Sequence, residues 1–423
     1  MGVIKKIGFT NNRQLSGFLA VVFSGQIIYS AFEAFKGTFY TPLLEVLGVS
    51  NTELGLLFTL IGTAMFFYVP AGWVNNRFSI RSILLFGLAV RFVSMMIISL
   101  FSPSFNILIG IAFLWGIIDA IFWPAVVNGV GLLSGDKNKG LGFGLLESIR
   151  RAVEMGMNTL IVLIMVAFGG AVFVFQGAMI VYTLLIIPVA IWVWKYAPEN
   201  VAFKSDENKN TAAFKGLIET LKMPSIWLAG MAALTVYWSY IALIYTIPYL
   251  QAVFNVPQMY ASVFGIINTG AMGVLAGVIS GFLSDFIFKS PSKMMFISLV
   301  LTTLCLLGVL LLPKDESMLM VNIVLLLCFS FSLFLAKSII LAPIAEINLS
   351  PRISGSAMSI GSFLAYASIF WAYTLNGSII DNNEPIVAYQ KIFSIGVGVA
   401  AVGSICCLFL IMMIKKQKKQ SSE

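Results

Sequence analysis

The chain has 423 residues, 59% of them hydrophobic and only 10% charged, more apolar surface than a soluble core can use, so the composition excludes an ordinary globular domain and indicates a polytopic membrane protein. A formal charge of +8 does not point to nucleic acid, because the basic residues follow membrane sidedness and are not gathered on a soluble domain. Histidine is absent, which excludes histidine metal sites and histidine-based triads and leaves carboxylates to carry any proton.

The N-terminal MGVIKKIGFTNNRQ leads into an apolar run without a small-residue cleavage site, so it reads as a retained first span. Runs long enough to cross a bilayer recur twelve times, at about 15–39, 53–75, 81–101, 104–128, 140–168, 171–196, 225–253, 258–284, 292–313, 317–343, 353–377 and 388–414. The predicted fold is an all-α integral membrane protein of twelve transmembrane helices in two six-helix pseudo-repeat bundles. The polar segment PENVAFKSDENKNTAAFKGLIETLKMP divides it into residues 1–196, a central loop at 197–224 and residues 225–423, with Thr211 to Lys222 expected to lie on the membrane surface as an amphipathic helix.

Several spans carry charge. In the first, Glu33 and Lys36 are three residues apart, so they either pair at the outer rim or line a cavity at mid-depth. Arg91 in the third span and Asp119 in the fourth both fall near mid-membrane, and Arg91 is a structural candidate as partner for Asp119. The fifth span holds GLLESIRRAVEMG, where Glu147 reaches Arg150 and Arg151 at i+3 and i+4 and Glu154 reaches the same two from the other side. At about 1.5 Å per residue, Glu154 lies roughly 20 Å from the start of its span. Charges at that depth must face protein or water and ordinarily mark a transport path, the alternative being a self-neutralising structural cluster. With histidine absent, Asp119, Glu33, Glu147 and Glu154 are the candidates for proton coupling. Adjacent arginines are separated by about 100° of helix rotation. One is therefore expected to meet an anion and the other to be held by Glu147 or Glu154.

In the seventh span Tyr237, Trp238, Tyr240, Tyr245 and Tyr249, and in the eleventh Tyr366, Trp371, Tyr373 and Asn376, supply aromatic and polar groups. Aromatics in spans are more often packing than ligand contacts, but a tyrosine hydroxyl away from the interface needs a partner, which makes Tyr237, Tyr240 and Tyr366 the candidate cavity-wall residues. Lys337, deep in the tenth span, precedes Pro343 by six residues as Asp119 precedes Pro124 by five. These near-equivalent positions suggest a charge pair that closes a gate, with snorkelling of Lys337 or pairing with Glu346 as the alternative. The four cysteines fall in apolar runs, so neither a disulfide framework nor a metal site is expected. No phosphate-binding loop or nucleophile elbow is present, so the chain reads as neither an enzyme nor an ATP-driven pump, and no cofactor is expected.

Nineteen of the 26 lysines and arginines fall on the side that carries both termini, three on the other and four within spans, which places both termini in the cytoplasm. The halves echo one another. PAGWVNNRFSIR after the second span and SGFLSDFIFKSPSK after the eighth each put a glycine, Gly72 or Gly281, four residues before Asn76 or Asp285, with basic residues such as Arg77 just beyond. Internal repeats of this kind mark a transporter with its site at the repeat interface.

GWVNNR and GFLSD after spans two and eight, together with twelve spans and a central loop, resemble the major facilitator superfamily, whose motif there runs roughly Gly-x-Leu-x-Asp-Arg. This chain departs from it by carrying Asn76 where the first copy has Asp. YTPLLEVLGVSNTELGLLFTL and GIIDAIFWPA are similar to the branch that carries organic anions and sugar acids. There the first span commonly shows Asp-Arg, and Glu33 and Ala34 occupy those places here. The resemblance implies a monomeric secondary transporter of the inner membrane that works by alternating access, with Gly72, Asn76, Arg77, Gly281 and Asp285 in its conformational loops. The expected substrate is a small organic anion such as a sugar acid or sulfonate, moved by symport with protons. A neutral-sugar transporter or drug exporter, and a transport-inactive sensor or assembly factor, are the alternatives.

Overall fold

The computed structural model describes residues 9, 11–30, 32–67, 71, 74–75, 77–134, 139–168, 172–199, 218–347, 349 and 351–420. Gly72 and Asn76 lie outside these residues, as do the side chains of Glu147 and Asp285 and most of the expected surface helix at 211–222, of which residues 218–221 form a helical turn. Twelve helical stretches follow one another: α1 (Asn12–Ser30), α2 (Asn51–Gly62), α3 (Ile80–Phe101), α4 (Phe105–Ser134), α5 (Lys139–Ala167), α6 (Val172–Tyr196), α7 (Pro224–Phe254), α8 (Gln258–Phe282), α9 (Pro291–Leu311), α10 (Leu319–Ser338), α11 (Pro351–Tyr366 with Ile369–Asp381) and α12 (Pro385–Gln420). Among the described residues nine helices are long and apolar enough to cross a membrane. A helix satisfies its own backbone, which hydrocarbon cannot do. Large apolar side chains such as Phe101, Phe173 and Leu311 are exposed; on a soluble protein such a surface would drive association, whereas lipid accepts it.

The chain forms two compact units, Met1–Ser205 and Asp206–Glu423. In the first, the segment after α1 turns by 98° between Tyr40–Leu47 and α2. Gly48 makes the turn possible with φ +63°, and Ser50 and Glu53 then close a capping box on α2. Phe32, Phe35, Phe39 and Trp115 are fully buried there and pack ring on ring with Phe58, Phe175 and Tyr182. Gly116 lets α4 approach α2 closely, since a Cβ there would sit 2.8 Å from the carbonyl oxygen of Leu60. Asn75 of the GWVNNR motif donates to the carbonyls of Ala71 and Ile121, each at 3.0 Å, tying that loop to α4. Arg81 donates to the Ala197 carbonyl at 3.0 and 2.8 Å and pairs with Glu199, fastening the end of α6 to the start of α3.

The second unit is less regular. π-Helical turns occur within α8 at Ile266–Ala271 and directly after it at Leu283–Ile287, an arrangement often associated with functional positions. The two repeat prolines behave differently. Pro124 sits inside an unbroken α4, whereas α10 ends at Ser338 and Pro343 opens the separate short helix Ala342–Glu346, consistent with proline's tolerance of a first turn.

Candidate functional site

The first unit holds a buried charge cluster made by three elements. Glu33 stands in the single 3-10 turn Glu33–Phe35 that follows α1, Arg91 midway along α3, and Asp119 midway along α4. Arg91 donates to Glu33 through both terminal nitrogens, Nη1 to Oε2 at 3.0 Å and Nη2 to Oε1 at 2.8 Å. Its Nη2 also reaches Asp119 at 3.3 and 3.5 Å, longer contacts than those to Glu33. The guanidinium lies over the Trp115 ring, 4.0 Å from its centroid, and Trp115 in turn donates to the Ser94 hydroxyl at 2.7 Å. Arg91 is 2% exposed and Asp119 6%. Two carboxylates therefore face one guanidinium with water excluded, a cluster that carries one surplus negative charge unless a proton occupies it. Glu33 does not pair with Lys36: its carboxylate is bound to Arg91, while Lys36 Nζ lies 5.2 Å from the centre of the Phe58 ring.

On α5 the two neighbouring arginines take different partners. Arg151 Nη1 stands 3.8 Å from Glu154 Oε2. Arg150, half-buried, lies over Trp123 and Tyr29, at 4.6 and 5.7 Å from their centroids, and those rings meet edge to face. One turn beyond Glu154, the buried Asn158 approaches Thr38 at 3.4 Å, and its Oδ1 has no hydrogen-bond partner. Arg150 lies about 16 Å along α5 from Lys139 at 1.5 Å per residue, well inside a span.

The second unit gathers the three predicted wall tyrosines. Tyr237 meets Tyr366 edge to face at 4.8 Å and Tyr240 at 5.5 Å, and Tyr240 meets Phe334 at 5.9 Å. Lys337 Nζ caps the Tyr240 ring at 3.5 Å from its centroid and lies 5.4 Å from Phe334. These three tyrosines are half-buried, whereas Tyr245, Tyr249 and Tyr373 are buried. Tyr245 donates to the Tyr373 carbonyl at 3.1 Å, and Tyr249 to Asn322 at 2.9 Å. Glu346, the alternative partner for Lys337, accepts from the Ser290 hydroxyl at 2.7 Å and the Ser292 backbone N–H at 2.9 Å. Of the conformational residues, Arg77 is exposed and Gly281 lies on α8, where an added Cβ would meet nothing within 4 Å.

Sequence reasoning missed four participants. Trp115 and Trp123 lie four residues before and after Asp119 on one helix, so helical spacing could have found both, whereas Tyr29 meets Arg150 from another helix and left no such signal. The fourth is Asn268, fully buried in the first π-helical turn, whose side-chain amide donates to Thr246 at 3.0 Å and whose backbone carbonyl accepts from the Ser330 hydroxyl; its signal was a polar pair, NT, inside an apolar run. Among the described residues no group of three or more acidic or cysteine side chains is placed to hold a metal.

The model of the Major Facilitator Superfamily matches residues 22–373, most of the chain. The chain belongs to the Major Facilitator Superfamily. It is 27% identical over 421 residues to the inner membrane protein YihN of Escherichia coli K12, covering 95% of this chain and 96% of that one. To the inner membrane protein YqcE of the same organism it is 23% identical over 414 residues, covering 96% of each. Among solved structures, the nucleoside transporter NupG superposes with a TM-score of 0.72 at 12% identity, covering 95% of this chain and 99% of that one. A bacterial homologue of the human lysosomal transporter Spinster, in an inward-facing and unoccupied conformation, gives 0.73 at 14%, covering 96% and 98%. These superpositions, at 12% and 14% identity, show the shared fold.

Proposed function

We propose that this protein is a secondary active transporter of a small organic anion, a sugar acid or sulfonate by class, moved with protons across the inner membrane with both termini in the cytoplasm, acting as a monomer and not as an enzyme. The observation that carries the reading is Arg150, a half-buried guanidinium deep in a span and laid over Trp123 and Tyr29. A guanidinium offers paired donors that suit a carboxylate or sulfonate, and stacking on a ring holds the fork in one plane. Arg151 stands 3.8 Å from Glu154, and the reading assigns anion recognition to the ring-stacked Arg150. Lys337 over Tyr240, beside Tyr237 and Tyr366, gives the second unit a similar pairing of cation and ring faces. The surplus acid of the Glu33, Arg91 and Asp119 cluster supplies the proton carrier.

The tyrosine cluster also favours a second reading, in which a neutral sugar ring stacks on Tyr237 and Tyr366. A thermal-stability screen of the purified protein against sugar acids, sulfonates and uncharged sugars separates the two, because a ligand that binds only the folded state raises its melting temperature. Stabilisation by anions alone is expected, and Arg150→Lys should weaken it about tenfold or more, the scale of one lost charge-assisted hydrogen bond. Equal stabilisation by the neutral sugar, or an unchanged affinity in Arg150→Lys, would favour the neutral-substrate reading.

A further inference from the structure

A small concavity of about 190 Å³ opens in the second unit where α8 ends and α9 begins. It is lined by Lys289, Ser290, Lys293, Glu346, Ile411, Ile414 and Lys415. Three lysines thus surround one carboxylate, and that carboxylate is committed: its two oxygens accept from Ser290 and from the first turn of α9 at Ser292. Among the described residues no acidic oxygen lies within ion-pairing distance of Lys289, Lys293 or Lys415. All three are exposed. The cavity therefore carries a net positive charge that the described residues do not neutralise.

Lys289 is placed there against backbone preference. The Phe288 N–H bonds to the Leu283 carbonyl and the Ser290 N–H to the Ser284 carbonyl, closing the end of the helix around a residue at φ +50°. Glycine fills such a left-handed slot without strain, and a lysine does not. The apolar wall is Ile411 with the buried Ile414, and just beyond them α12 continues as Lys415, Lys416 and Lys419. At 36 residues and 1.5 Å each, α12 is longer than the roughly 30 Å of hydrocarbon it must cross, so this basic end reaches the headgroup layer.

We propose that this cavity binds the headgroup of an anionic phospholipid of the leaflet that faces the C-terminus. A free phosphate shares the charge chemistry, but the backbone donors it would use at the start of α9 are occupied: Ser292 N–H serves Glu346, and Lys293 N–H serves the Ser290 hydroxyl. What remains is a set of mobile point charges beside an apolar wall. That combination suits a headgroup whose acyl chain runs along Ile411, and each lysine near an anionic surface contributes about 1 kcal/mol, or roughly fivefold in affinity.

The test titrates purified full-length protein in neutral detergent with phosphatidylglycerol, phosphatidylcholine or inorganic phosphate and follows its melting temperature. Phosphatidylglycerol should stabilise it and the other two should not, and apparent affinity should fall about fivefold with Lys289→Gly and further when Lys293→Gln and Lys415→Gln are added. Lys289→Gly removes the charge while relieving the left-handed backbone, so its loss of lipid response cannot be put down to misfolding. Equal stabilisation by phosphatidylcholine would overturn the proposal, as would an unaltered response in the triple variant. A matching shift with inorganic phosphate would assign the cavity to a free anion. Loss of the response in Lys416→Gln with Lys419→Gln, with Lys289→Gly unaffected, would move the binding to the C-terminal tail and refute the cavity.

Discussion

Arg91→Met should lower the stability of the folded protein by about 3–5 kcal/mol, the cost of removing one partner from a buried ion network. The substitution preserves most of the side-chain volume over Trp115, so the loss is electrostatic and not a cavity effect. Glu33 and Asp119 would be left in the same buried site, with the guanidinium that touches both gone. Two unpaired carboxylates there must either repel or take up protons, and both routes raise the energy of the folded state at neutral pH. The measurement is thermal melting of the detergent-purified protein, with a drop of many degrees expected. Its control is the triple variant Arg91→Met, Glu33→Gln, Asp119→Asn, which removes every charge together. Replacing a buried ion network by neutral groups of similar size is often close to neutral, so the triple variant should melt much nearer to wild type than the single one. A single variant that melts within about 2 °C of wild type would show that the cluster is not a buried ion network.

That cluster also shows how far the sequence could be read. Twelve apolar runs, the lysine and arginine distribution and the paired motifs GWVNNR and GFLSD were enough for the fold, because hydrocarbon permits so few ways to satisfy a backbone. Asp119 and Arg91 could be matched as partners because both fell near mid-membrane in neighbouring spans. Glu33 could not be added to them, since its place depends on the chain leaving α1 through a 3-10 turn at residues 33–35, and periodicity counts assumed a continuous helix there. For the same reason a pairing of Glu33 with Lys36, one of the two arrangements that their spacing allowed, does not form: Arg91 takes the Glu33 carboxylate. The seventh- and eleventh-span tyrosines were legible as a set, but which of them are half-buried depends on helix rotation. Tyr245 and Tyr249 turn inward to buried hydrogen-bond partners, whereas Tyr237, Tyr240 and Tyr366 pack ring against ring and stay half-buried. Pro124 and Pro343 occupy corresponding places in the two halves, yet only the first lies within an intact helix. Proline permits either outcome, and the residues around it decide.

Asp119→Asn should abolish proton-driven accumulation while leaving exchange of substrate intact. Arg91 holds Glu33 with a close two-point contact at 2.8 and 3.0 Å, whereas it reaches Asp119 through a single nitrogen at 3.3 and 3.5 Å. Paired short bonds to a guanidinium favour the ionised carboxylate most. Asp119 is therefore the member of the cluster that can accept a proton with the smaller loss of bonding, and its protonation removes the surplus negative charge. Asparagine keeps the shape and freezes the neutral state, so the conformational cycle can proceed without carrying a proton. In proteoliposomes with the interior about one pH unit more alkaline than the outside, each coupled proton supplies about 1.4 kcal/mol, which corresponds to tenfold accumulation. The Asn variant should reach no more than equal concentrations on the two sides, yet counterflow of labelled substrate should continue. Glu33→Gln provides the comparison: it breaks the two-point contact and should lower the melting temperature more than Asp119→Asn does. If Asp119→Asn still concentrates substrate tenfold while Glu33→Gln does not, the coupled proton rides on Glu33. If both variants accumulate as wild type does, the cluster is structural and the proton is carried elsewhere.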